Sequence, residues 1–439
     1  IYDLVYPQAS QTKSVDVTKI IKDRNINETE MVEYAEDFFL SMGFDPLPDT
    51  FWERSLFIKP QDRSVVCHAS AWNLDSANND LRIKMCIEKN EEDFITIHHE
   101  LGHIFYYQAY NHLPTLFQGG ANDGFHEAFG DLLTLSITPD YLEKIGFVSE
   151  DEAKLAKNDS IGLLMKQALE GVVVIPWALM LDKWRAGVFT GDIAENELNK
   201  AWWDMRESYQ GISPPNKRSE KYFDPGAKYH IPGNTPYTRY YLARIMQYQF
   251  HESLCNEIGF SGPLHECSIY GDKLAGEKII STMAMGQSAP WQDAFEKLTG
   301  SRSISGKSVM NYYRPLKEWL EEKIWPLEER LVDRAFVYEG ASLAIAEMIT
   351  SGTTCFADMY FFADSAAEEI RACGMRSQIG FTVFDFPTAG GKDPDDYIHQ
   401  GLQLRDTYKD NDLIKIACAP HAPYTVGDET LRRIATFAN

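Results

Sequence analysis

The feature that most limits what this chain can become is the run His99-Glu100-Leu101-Gly102-His103 inside a helical stretch. Positions i and i+4 of a helix share one face, so His99 and His103 can aim both imidazoles at a single metal ion. Zinc is the natural occupant of such a pair. Glu100 is turned about 100° from His99 around the helix, which lets it reach an activated water as general base without being a ligand. A second run, Gly124-Phe125-His126-Glu127-Ala128-Phe129-Gly130-Asp131, follows at a distance suited to another helix packed against the first. A catalytic zinc takes three protein ligands and keeps one position open, and Glu127 completes the set begun by His99 and His103. Asp131, one turn beyond Glu127, is placed to accept the spare N–H of a ligating histidine and fix its tautomer. Apolar Phe125, Ala128, Phe129 and Leu132 interleave these carboxylates, so the helix is expected to be mostly buried, where carboxylates need partners. The chemistry predicted is metal-assisted hydrolysis.

The chain divides by texture. Up to about residue 323 helical periodicity and aromatics dominate, broken by loops at Pro214-Pro215, Pro225-Gly226 and Pro232-Gly233. From Phe336 the pattern becomes a helix-like run (340–349), a β-rich run (353–359), a helix (365–373), a strand (377–383), a helix (397–408), a strand (413–418) and a helix after Asp428. This alternation is the grammar of parallel α/β units. It supplies three strands where about eight close a barrel. The predicted architecture is a mainly α metallopeptidase domain over 1–320, truncated at its N-terminal side, followed by a partial α/β, TIM-barrel-like fragment over 325–439. The boundary is expected between Pro315 and Pro326.

A formal charge of −23 opposes binding to nucleic-acid phosphates. The longest apolar run, around Gly171 to Met180, is too short for a bilayer, which takes about 20 residues, so no membrane segment is expected. Ile1 to Val5 show no initiating Met, basic region or apolar region, so a signal peptide is read as absent or already removed, and the chain as beginning mid-protein. Cys67, Cys86, Cys255 and Cys267 fall into two pairs with short spacings suited to local disulfides, whereas Cys355, Cys373 and Cys418 read as ordinary buried thiols of a reduced compartment.

Four separated motifs in order, Val66-Cys67-His68-Ala69-Ser70-Ala71-Trp72, His98-His99-Glu100-Leu101-Gly102-His103, Gly124-Phe125-His126-Glu127-Ala128 and Asp224-Pro225-Gly226-Ala227-Lys228-Tyr229-His230-Ile231-Pro232, closely resemble the angiotensin-converting enzyme family of peptidyl-dipeptidases over roughly Ile1 to Trp319. The resemblance implies zinc held by His99, His103 and Glu127, with Glu100 as general base and acid. Tyr240 and His230 match the family's oxyanion-stabilising groups, and Lys228 and Tyr237 the pair that holds the substrate's terminal carboxylate. His68 and the backbone of Ala69 match groups that bind the peptide in a strand-like pose. Arg239 matches a chloride ligand, and Trp202 with Arg206 part of a second chloride site. The resemblance pairs Cys67 with Cys86 and Cys255 with Cys267. It implies peptide substrates with a free C-terminus and a secreted, periplasmic or extracellular setting. Asn27-Glu28-Thr29 and Asn158-Asp159-Ser160 are glycosylation sequons. The family's helical N-terminal half, with a glutamine of the carboxylate pocket and an arginine of a chloride site, has no counterpart in this sequence.

From about Trp325, the stretch Ala344 to Phe361 and the run Ala419-Pro420-His421-Ala422-Pro423-Tyr424-Thr425 resemble the methylthioadenosine/S-adenosylhomocysteine deaminases, which are amidohydrolases of cytoplasmic type. His421 matches a substrate-contacting histidine and Glu328 loosely matches a ribose-binding carboxylate. The family's H-x-H metal pair is absent from this sequence. Both families carry a Pro-Leu…Trp-Leu helix, here Pro315-Leu316 and Trp319-Leu320, so the chain reads as a chimera joined where the two look alike. Three functions follow in order: a zinc peptidyl-dipeptidase, a zinc-binding chimera without full turnover, and a nucleoside deaminase.

Overall fold

The computed structural model describes residues 15–158, 160–214, 216–422 and 425–438. The first loop proline pair at Pro215, the second sequon at Asp159, and Pro423 and Tyr424 of the last motif therefore fall partly outside the described residues, as does the start from Ile1. Two compact units are present, Ile1–Leu316 and Lys317–Asn439.

The first unit is helical. Its central helices, with one small hairpin, are α1 (Glu28–Met42), β1 (Ser70–Asp75), β2 (Asp80–Lys84), α2 (Glu91–Tyr110), α3 (Phe125–Thr134), α4 (Ser160–Gly171), α5 (Val174–Thr190), α6 (Leu198–Gln210) and α7 (Thr238–Glu257). Asn27 starts α1 with a capping box closed by Glu30, and Gly43 ends it in the left-handed conformation. Asn90 caps α2 by accepting from the Asp93 N–H, and Glu91, Glu92 and Asp93 complement the positive end of its dipole. The inner face of α2 buries Phe94, Ile97, Leu101 and Phe105, with Phe105 stacked on Phe39 of α1 at 4.1 Å between centroids. α3 lies between α2 and α7, and its Phe125 and Phe129 pack against Phe250 of α7 at 5.5 and 5.2 Å. Both carboxylate-bearing turns of α3 are thereby fixed by an aromatic core.

β1 and β2 pair antiparallel, with Ser70 opposite Lys84 and Trp72 opposite Arg82. The Cys67–Cys86 disulfide closes the base of this hairpin, and Cys255–Cys267 ties the end of α7 to the loop that follows. By length and composition alone the stretch Ser160–Thr190, which reaches beyond the uncharged run read from sequence, passes as long and apolar enough to cross a membrane. It is two helices broken at Val172–Val173, and it places Leu164, Ala178, Met180, Leu181 and Trp184 in buried positions.

His98 sets the acid limit of this unit. Its Nδ1 faces the Phe94 carbonyl at 2.8 Å and its Nε2 the Tyr141 hydroxyl at 2.9 Å, a set of partners that a neutral imidazole satisfies with one donor and one acceptor. Burial pushes His98 and the equally enclosed His251 down to about 4. A folded-state value below the unfolded one means that this stability is complete above about pH 6.5 and is lost as pH falls toward 4, since the unfolded chain takes up the protons first. Thermal melts should show the first unit losing on the order of 2 kcal/mol per histidine across that window. A melting temperature flat from pH 6.5 to 4.5 would sink the account.

The second unit carries α8 (Arg334–Thr350), β3 (Cys355–Tyr360), α9 (Ala363–Cys373), β4 (Arg376–Val383), α10 (Pro394–Tyr408), β5 (Ile414–Pro420) and α11 (Asp428–Ala438). Its three strands are parallel in the order β3-β4-β5. Ile345, Ile370, Ile379 and Ile414 form the main buried cluster between sheet and helices. The helices start earlier than periodicity alone indicates, because Asp333 and Asp393 cap α8 and α10 upstream of their apolar runs. The stretch Pro315 to Pro326, in which the boundary is expected, is helical through Arg314–Trp319, a π-turn at Leu320–Ile324 and Trp325–Leu331. Cys355 and Cys373 are exposed and Cys418 is half-buried, correcting the expectation of buried thiols. Cys355 opens a strand and Cys373 closes a helix, and element ends lie at the rim of a sheet that has not closed on itself.

Candidate metal centre and cleft

α2 presents His99 and His103 one turn apart, and α3 crosses it closely enough to bring in Glu127. The Nε2 atoms of the two histidines are 3.1 Å apart, and Glu127 Oε2 is 3.4 Å from His99 Nε2 and 3.9 Å from His103 Nε2. The point equidistant from three atoms so separated lies about 2.0 Å from each, the length of a Zn–N or Zn–O bond. The residues present therefore fit the ion that the motif implies. Asp131 accepts at 3.0 Å from Nδ1 of His99, which fixes the tautomer that leaves Nε2 facing this point.

Electrostatics follow the same geometry. Burial opposes a charge on His99, but Asp131 and Glu127 hold it well above its ordinary value. Burial, reinforced by His99, pushes His103 down to about 4. Glu100 is 7% exposed, and its Oε2 has no hydrogen-bond partner. Burial raises its carboxyl above the usual range, the direction that makes a carboxylate a stronger base.

Some of the remaining residues read from sequence line one open cavity of about 1240 Å³, whereas Lys228, His230, Trp202 and Arg206 are not among the residues that line it. His68, Ala69, Tyr237, Arg239 and Tyr240 line it with the metal set. β1 uses one edge for β2, its other edge has no ladder partner among the described residues, and Ala69, Ser70 and Ala71 face the cavity. His230 Nε2 lies 3.2 Å from the Tyr240 hydroxyl, and the Lys228 ammonium sits 5.3 Å over the Tyr237 ring. Tyr237 and Tyr240 are held from a distance: Asp182 of α5 accepts from the N–H groups of Tyr237 and Thr238 and from the Thr238 hydroxyl, so a carboxylate caps the start of α7.

The two expected chloride positions differ. Arg239 is engaged by Asp123, Nη2 to Oδ1 at 2.9 Å and Nε to Oδ2 at 3.1 Å. Arg206 stacks over Trp177 at 4.8 Å and forms no ion pair among the described residues, while Trp202 packs edge-on against Trp177 and Trp184. A second group with ligand chemistry, His251, Cys255 and Cys267, is committed to a disulfide. In the second unit, Tyr360 donates to Glu328 at 2.9 Å, and His421 stacks on Phe384 and meets the Thr425 hydroxyl at 3.0 Å.

Sequence reasoning missed four contributors. Asp182 carries no motif, since its capping role crosses from one helix to another. Gly102 and Gly130 read only as spacers, yet they meet where α2 and α3 cross. Arg244 stands in the cavity wall beside Asp131, and its one sequence signal is its spacing from Tyr237 and Tyr240.

Residues 1–331 match the sequence profile of the peptidase M2, angiotensin-converting enzyme family, and residues 303–439 match that of the amidohydrolase family. The matches overlap across 303–331. Among similar curated proteins are the angiotensin-converting enzymes of Oryctolagus cuniculus, 44% identical over 73% of this chain and 24% of the relative, of Theromyzon tessulatum, 43% identical over 72% and 51%, and of Haematobia irritans exigua, 41% identical over 73% and 53%. The chain thus spans about a quarter to a half of the length of these relatives.

Proposed function

Because the chain belongs to the angiotensin-converting enzyme family of peptidases, we propose that its first unit is a zinc-dependent peptidase that releases dipeptides from the free C-terminus of peptide substrates. The observation that carries this reading is the convergence of His99, His103 and Glu127 on a point about 2.0 Å from each ligand atom, with a partnerless Glu100 oxygen beside it.

Zinc, when bound there, polarises the scissile carbonyl and lowers the pKa of water toward about 7. Glu100 takes the proton of the attacking water at Oε2 and delivers it to the departing amine. The Tyr240 hydroxyl and the His230 imidazole donate to the oxygen on which negative charge develops. Lys228 and Tyr237 hold the terminal carboxylate, which sets the cut two residues from the end. The free edge of β1, with His68 and Ala69, keeps the peptide extended by main-chain hydrogen bonding. Chloride enters at Arg206 beside Trp202, because Arg239 is already neutralised by Asp123. The two disulfides and the family are consistent with an extracellular setting, and we assign the first unit to a secreted or periplasmic compartment.

Treatment with a chelator should abolish dipeptide release from an N-blocked tripeptide, and stoichiometric zinc should restore it. Release that survives chelation would end the zinc reading. A chain that holds one zinc and releases nothing would be a metal-organised chimera without turnover, the second reading favoured by its partial span of the relatives.

A further inference from the structure

Tyr237, Tyr240, Arg244 and Tyr248 follow one another on α7 at helical spacings, which lays them along one face. All four line the cavity. Arg244 has no role in the chemistry above, yet it is a cation set into the wall of the cleft with 28% of its side chain accessible. Its Nη1 is engaged: it lies 3.6 Å from Asp131 Oδ2 and, with the Gln247 amide turned oxygen-inward, 3.1 Å from that oxygen. Nε and Nη2 have no partner among the described residues. Those two N–H groups form the side-on fork of a guanidinium, whose geometry matches the two oxygens of a carboxylate.

The cavity lining is otherwise rich in carboxylates, among them Glu92, Asp93 and Glu170, so the fork is a local cationic point in an acidic wall. The carboxylates nearest to Arg244 are already shared, Asp131 with His99 and Glu127 with the metal set. Tyr313, half-buried and joined to the buried Tyr248 by a 2.7 Å hydrogen bond between their hydroxyls, lines the same cavity and offers aromatic surface suited to the methylene stem of an acidic side chain. Arg244 is one helical turn from Tyr240, about 6 Å along the axis. An extended peptide advances about 3.3 Å per residue, so the fork is within two residues of a carbonyl seated at Tyr240.

We infer that Arg244 is a specificity-determining residue of the cleft, taking the side-chain carboxylate of a glutamate or aspartate within two residues of the bond that is cut. This rests on the peptidase reading, and the experiment separates the two. N-blocked tetrapeptides with glutamate or glutamine at each of the four positions around the scissile bond are assayed with the zinc-loaded chain for kcat and KM. They are also titrated calorimetrically into zinc-loaded Glu100→Gln, which removes turnover from the measurement. At one position the glutamate peptide should be preferred about tenfold, through KM and not kcat. That ratio should fall to about one in Arg244→Met and be partly kept in Arg244→Lys. A ratio near one at every position in the unaltered chain overturns the inference, with no dependence on whether a variant folds. A preference that survives Arg244→Met also overturns it, as does a loss in that variant equal for glutamate and glutamine peptides, which marks a residue that only positions Asp131. Peptides that neither bind nor react would overturn the peptidase reading first, and this inference with it.

Discussion

Glu100→Gln is expected to retain zinc at one per chain, melt within a degree or two of the unaltered protein, and lose about a thousandfold in kcat/KM for dipeptide release, a loss of about 4 kcal/mol in transition-state stabilisation. The amide keeps the shape of the carboxylate and removes its capacity to accept a proton. Glu100 donates and accepts nothing essential to the fold, since its Oε2 has no partner and the neighbouring core contacts of α2 belong to Leu101, Phe105 and His98. Zinc content by atomic absorption, a melt and a peptide assay on the same preparation would decide the matter. Activity unchanged within twofold would remove Glu100 from the mechanism, and loss of zinc would mean that it is a ligand.

Gly130→Ala should damage the metal centre without replacing a ligand. A Cβ at this position would lie 2.7 Å from Nδ1 of His99 and 2.9 Å from its carbonyl oxygen, and a Cβ on Gly102 would lie 2.8 Å from the Gly130 Cα. The Gly130 Cβ would meet the His99 ring at Nδ1 and Cε1 and the His99 backbone at its carbonyl oxygen, so relief requires either the ring or the helix crossing to move. Either α2 and α3 separate, or His99 swings off Asp131. Both outcomes open the triangle of ligand atoms, and positioning losses of this size in a metal centre cost about 10- to 100-fold in affinity. Overpacking of the crossing should add about 1–3 kcal/mol of destabilisation. Competition with a chromophoric chelator reads the first effect and a urea melt the second. A Gly130→Ala protein that binds zinc as tightly as the unaltered chain would show that the close crossing is incidental to the site.

The two glycines mark the limit of sequence reading here. The helical period of α2 fixes that His99 and His103 share a face, and the apolar residues of α3 fix that Glu127 and Asp131 occupy a largely buried helix, because both are local consequences of backbone geometry. The distance between the helices is not local. It depends on the absence of two side chains, and nothing in the spacing of the ligands reveals that absence as a requirement. The same holds for Asp182, which caps α7 from α5.

Charge pairing divides in the same way. Arg239 and Arg206 look equivalent as isolated cations, but Asp123 neutralises one and tryptophan faces cover the other. Arg244 carries no motif and becomes conspicuous only when its neighbours Asp131, Tyr248 and Tyr313 are known. In the second unit the alternation of strands and helices was legible from residue 353 onward, and capping aspartates then moved the helix starts. The exposure of Cys355 and Cys373 was not legible, since it depends on whether the sheet is closed by strands beyond the three present.

By itself the sequence determined the ligand types, the helix faces that carry them, the mainly helical first unit and the βα order of the second, all set by periodicity and side-chain chemistry within a few residues. Only the tertiary structure decided that two imidazoles and a carboxylate meet within one bond length of a common point, and which cations remain available to a ligand. Those outcomes depend on how closely elements distant in sequence can approach, which is a matter of packed volume that no local pattern encodes.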